Sequence, residues 1–122
     1  MIEYEYDELV YQDGDKDLII QMKDAENEPV SIFLEADASQ FEDWIKQEFD
    51  DVLSGKVECV EESGNATHYS IHKDKTRIEL LFPPNEDDEI WCEVDTKELK
   101  NLVDEFCEKR REFKKSKNIE RK

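Results

Sequence analysis

The chain has 122 residues, with 34 Asp and Glu against 17 Lys and Arg, a formal charge of −17 at pH 7. That length suits one domain, since a second core would be too small to hold together, and the charge argues against nucleic acid or an anionic membrane as partner, which would need clustered Lys and Arg. A mean hydropathy of −0.90 leans toward disorder, but six Phe, four Tyr and two Trp, with only three Gly and three Pro, favour a folded domain.

Ile2, Tyr4 and Tyr6 alternate with Glu3, Glu5 and Asp7, the period of a half-buried strand, which continues through Leu9-Val10-Tyr11. Asp13-Gly14 marks a turn into a second strand, Leu18 to Met22. Beyond the polar stretch Lys23 to Pro29, the apolar run Val30-Ser31-Ile32-Phe33-Leu34 predicts a third, completing an antiparallel meander. Ser39 with Glu42 three residues later is a capping box, which predicts a helix from near Gln40. Phe41, Trp44, Ile45, Phe49, Val52 and Leu53 would share its buried face, and Gly55 would stop it.

Four more strands are expected. They are Val57 to Val60, Thr67 to His72 after a Ser63-Gly64-Asn65 turn, Thr76 to Phe82 after Lys73-Asp74-Lys75, and Ile90 to Val94. Pro83-Pro84 ends the third of them, because proline cannot donate to a ladder, and the acidic loop Glu86-Asp87-Asp88-Glu89 follows. Asp95 or Thr96 would cap a last helix, in which Leu99, Leu102, Val103, Phe106, Arg110 and Phe113 recur at helical spacing.

The order βββ-α-ββββ-α predicts an α+β chain: a single antiparallel sheet covered on one side by two amphipathic helices, its other face largely polar. Residues 1–114 would form the domain and residues 115–122 a frayed basic tail. From Lys109 onward there are eight basic and two acidic residues, suited to the negative end of a helix dipole. Residues 1–108 keep nine basic and 32 acidic ones.

Cys59, Cys92 and Cys107 are odd in number and form no Cys-x-x-Cys pair, so buried free thiols in a reducing compartment are expected. His68 and His72 sit four apart, but along a strand that separates their side chains by roughly 13 Å, too far to share an ion. Asp13, Asp15 and Asp17 resemble the start of a calcium loop, yet Leu18 stands where that loop needs glycine. There is no Gly-x-Ser-x-Gly elbow and no Gly-rich phosphate loop, and no carboxylate pair stands out. Catalysis, metal and cofactors are therefore not expected. The opening Met1-Ile2-Glu3-Tyr4-Glu5 has neither region of a secretory signal, and a cytoplasmic location is expected.

What remains is the charge. Solubility alone would account for it, but the sharper reading is recognition of a basic protein, whose encounter an acidic surface speeds by roughly ten- to a thousandfold. Candidate contacts are Asp43, Asp50 and Asp51 on the first helix and Glu86, Asp87, Asp88 and Glu89 in the acidic loop.

Two resemblances bear on this reading. The opening Tyr4-Glu5-Tyr6, the helix ending at Gly55 before a hairpin, and Cys92-Glu93-Val94 leading to Phe106 resemble the layout of the YacL-like bacterial proteins. That likeness implies a fold and, as an alternative function, a housekeeping interaction role with a partner other than a toxin. As a small acidic chain without catalytic motifs, the protein also resembles the immunity proteins of polymorphic-toxin and contact-dependent inhibition systems. This second likeness implies binding to one cognate basic toxin domain, often a nuclease, so as to cover its active site or a needed surface.

Overall fold

The computed structural model describes residues 2–120; positions 121 and 122 of the expected tail lie outside the described residues. The chain is α+β, as predicted, but it holds two antiparallel sheets rather than one. β1 (Tyr4–Val10) pairs with β2 (Lys16–Met22) from Tyr4 opposite Met22 to Val10 opposite Lys16. The hairpin turns where Asp13-Gly14 predicts: Gly14 has φ +87°, a left-handed conformation that glycine adopts without a Cβ penalty. The Asp13 carboxylate accepts from the Asp15 N–H at 2.9 Å, which holds the turn closed.

The predicted third strand is helical. A 3₁₀ turn (Ala25–Asn27) leads into α1 (Glu28–Ile32) and a π-helical stretch (Phe33–Ala38). The physical reason lies in the same residues. The Asp24 carboxylate caps the first turn at the Glu26 N–H, and Pro29 sits where its missing N–H costs nothing. Val30, Phe33, Leu34 and Ala38 follow helical spacing, and all four are fully buried. A helix here cannot bridge the hairpin to the other strands, so among the described residues β2 pairs with β1 alone. The Ile20 N–H instead donates to the Glu35 carboxylate at 3.0 Å.

The second sheet is an antiparallel meander: β3 (Cys59–Ser63), β4 (Thr67–His72), β5 (Lys75–Leu80) and β6 (Trp91–Asp95). Thr67, Tyr69, Ile71, Thr76, Ile78, Cys92 and Val94 point into the core. The alternate residues, among them Glu61, His68, Arg77, Glu79, Trp91 and Glu93, form the open face, which is polar apart from Trp91. Cys92 and Cys107 are buried free thiols, as expected; Cys59 corrects that expectation, because it stands exposed at the start of the edge strand.

α2 (Glu42–Leu53) lies over β3 and β4, and α3 (Thr96–Glu120) packs against α2, β5 and β6. The Asp95 carboxylate caps α3 at the Glu98 N–H, 2.9 Å away, as predicted, while Thr96 is buried against the His72 carbonyl and Thr76. Leu99, Leu102, Val103 and Phe106 form its buried stripe. The capping box is a correction: Ser39 donates instead to the Glu35 carbonyl at 2.6 Å, and Phe41, with φ −121°, precedes the helix. Helical backbone continuing into Ser39 brings that carbonyl within reach of its hydroxyl.

The hairpin docks on α1 and α3. Tyr4 and Tyr6 both donate to Glu105, at 2.6 and 2.7 Å, and the Ile2 N–H donates to Glu98. The Tyr4 hydrogen bond, with help from Tyr6, holds the Glu105 carboxyl below its usual range. Lys117 reaches the hairpin turn, 2.6 Å from Asp15 and 2.5 Å from the Lys16 carbonyl. Basic residues of α3 thus bind acids of the same molecule, Arg111 on Glu42 at 2.7 Å among them. Among the described residues no helix is long and apolar enough to cross a membrane.

Candidate partner-binding surface

The sequence places Trp44 and Phe41 on the buried face of α2, and the structure corrects both. Ile45, Phe49 and Val52 are the apolar residues that fill the core from this helix, whereas Trp44 is 66% exposed and Phe41 45%. The apolar arc of α2 is wider than the surface that meets it. The helix crosses the sheet at its β3 edge, so Phe41 and Trp44 come out beside the β3–β4 turn.

There they border an open depression of about 370 Å³, walled on the other side by Glu62, Ser63, Gly64 and Asn65 and floored by Tyr69. The floor is fixed from below. The Tyr69 hydroxyl donates to buried Glu48 at 2.6 Å, and Phe33 meets the Tyr69 ring edge-on at 5.1 Å. Burial pushes the Glu48 carboxyl above its usual range against the Tyr69 hydrogen bond, and the charge of Glu62 pushes the same way.

The far wall is pinned by Asp37, a fully buried carboxylate at the end of the π-helical stretch. It accepts from the Asn65 and Ala66 N–H groups and, on its second oxygen, from the Thr67 N–H at 3.1 Å and hydroxyl at 2.5 Å. One side chain therefore satisfies donors that the tight turn would otherwise leave unpaired. Gly64 permits this closeness, because a Cβ there would overlap the Asp37 carboxylate.

The acids singled out from the sequence fall into two separate groups. Asp43 is exposed next to Trp44 and, among the described residues, has no ion pair. Asp50 and Asp51 are partly engaged within the molecule: Asp50 lies 3.8 Å from Lys100, and Asp51 lies 3.9 Å from Lys56 and accepts from Gln47 at 2.8 Å. Glu86, Asp87, Asp88 and Glu89 are exposed in the β5–β6 connection, at the other half of the sheet from α2. Asp88 accepts from the Asn85 side chain at 3.1 Å, and Glu89 borders a depression shared with Glu26 and Asn27. Sequence reasoning missed Glu62 and the two exposed aromatics as surface features. The edge position of β3 was the one signal that could have exposed them.

The two histidines lie on the open sheet face of β4, with His68 Nδ1 2.9 Å from the Ser63 hydroxyl. Among the described residues no group of three or more His, Cys, Asp or Glu could hold a metal ion.

Comparison with known proteins gives one relative of note. The chain is 40% identical over 91 residues to a Bacillus cereus protein named "Immunity protein", an alignment that spans 74% of this chain and 76% of the relative. No family model matches the chain, and no solved structure matches it.

Proposed function

The chain belongs to the family of that immunity protein, and from this premise we propose that it binds and neutralises one cognate toxin domain. The observation that carries the proposal is this kinship over most of both chains. The toxin domain in this reading is basic, a nuclease whose active site is cationic because its substrate is a polyanion. In this reading the 17 excess negative charges of this chain occupy the same field and speed the encounter, and the bound chain then covers the active site or a surface the toxin needs. The work is done by stoichiometric binding, with no catalytic step on this chain.

Co-expression with the toxin domain encoded in the neighbouring reading frame tests this. Restored growth, a 1:1 complex on size exclusion and loss of nuclease activity at equimolar ratio are expected. No complex with that domain would sink the proposal and leave a housekeeping interaction role as the better reading. Affinity should also fall as salt rises from 50 to 300 mM (roughly, over the range where the Debye length shrinks to several Å). Salt-independent affinity would remove the electrostatic part alone.

A further inference from the structure

We infer, building on the immunity reading, that the Trp44 depression receives an arginine side chain of the toxin domain. Its guanidinium lies on the indole and hydrogen-bonds to the Glu62 carboxylate.

The two tryptophans of the chain make the first argument. Trp91 is half-exposed on the open sheet face and carries the Arg77 guanidinium 4.4 Å from its ring centre. Tyr6 likewise has the Lys109 ammonium at 5.3 Å. Trp44 is more exposed than either, and among the described residues no cation lies over it. An aromatic face attracts a cation through its quadrupole, and tryptophan does so best.

Charge makes the second. Glu62 and Tyr69 are register partners, so Glu62 shares the helix-side face of the sheet with Tyr69. Among the described residues Glu62 has no ion pair, although Glu42, Asp50, Asp51 and Asp104 on α2 and α3 each have one or two. The Glu62 carboxylate lining the depression, with exposed Asp43 next to the uncovered indole of Trp44, complements a positive side chain and repels a negative one.

Shape and rigidity make the third. A volume of about 370 Å³ is at the small end of binding pockets, suited to one long side chain. Both walls are already fixed, one on α2 and the other by Asp37, so little order has to be imposed on binding. Arginine fits better than lysine because its planar fork can stack on the indole and still bind a carboxylate edge-on. Tryptophan and arginine are also the residues on which interface energy concentrates.

The experiment measures affinity for the toxin domain of the neighbouring reading frame by calorimetry. Trp44→Ala should weaken it by about 30-fold or more and Glu62→Gln by about fivefold, with unchanged circular dichroism in both. Trp91→Ala should stay within about twofold. Arg→Lys changes on the toxin should include one that costs about tenfold against the wild type and nothing against Trp44→Ala. A wild-type complex that tolerates both Trp44→Ala and Glu62→Gln within threefold overturns this inference and leaves the immunity reading standing. If instead the wild-type chain forms no complex, both fall together.

Discussion

The two edges of α2 carry residues of the same kind and meet different fates. Ile45, Phe49 and Val52 are at most 1% exposed, while Phe41 and Trp44, a turn or less away, face water. Propensity does not separate them. What differs is the opposing surface: α3, β4 and the π-helical stretch on one side, and the end of edge strand β3 with the β3–β4 turn on the other. Apolar character says which residues would gain from cover, and the layout of neighbouring elements decides which receive it. Single exposed aromatics are ordinary on a protein surface, and what sets Trp44 apart is the depression with fixed walls that it borders.

That contrast can be attacked directly. Phe49→Ala should cost about 3–5 kcal/mol in denaturant unfolding, the cavity cost of a fully buried ring. Asp37→Ala should come next, at about 2–4 kcal/mol, because it strands the Ala66 and Thr67 N–H groups and lets the turn wall move. Trp44→Ala should change stability by less than about 1 kcal/mol, as expected for an exposed site. A loss as large as that of Phe49→Ala would erase the distinction and return Trp44 to the core.

The smallest effect concerns the floor of the depression. Burial raises the Glu48 carboxyl above its unfolded value, so its ionised form destabilises the fold at neutral pH, and that penalty disappears as pH falls through the raised value. Glu48→Gln keeps an acceptor for the Tyr69 hydroxyl without the charge. Melts at pH 7 should therefore show the variant slightly more stable, and melts below the carboxylate range should show no gain. The reverse order would mean that the Glu48 charge supports the fold.

Much of this architecture is legible in the sequence. The hairpin at Asp13-Gly14, the meander from β3 to β6 and the capped start of α3 all follow from alternation, turn residues and a single aspartate. The failures have local physical causes. Val30 to Leu34 satisfies a five-residue apolar run as well as a helical stripe, and only the Asp24 cap and Pro29 upstream decide between them. Ser39 could serve either as a cap or as a donor to the carbonyl four residues back, and the preceding helix settles that. The depression was hidden because it joins residues about twenty positions apart, and Asp37, which shapes it, reads in sequence as one acid among many.

The hydrogen bonds from Tyr4 and Tyr6 to Glu105 span about a hundred residues, and those from Lys117 to the hairpin turn are as long in sequence. On a ribosome the hairpin emerges well before α3, one of the two helices that receive it. At about 5–20 residues per second Tyr4 and Tyr6 wait roughly 5–20 s for Glu105, although α1 is already made. The hairpin therefore gains its second anchor only once α3 is made, and until then α1 and Glu35 alone can hold it.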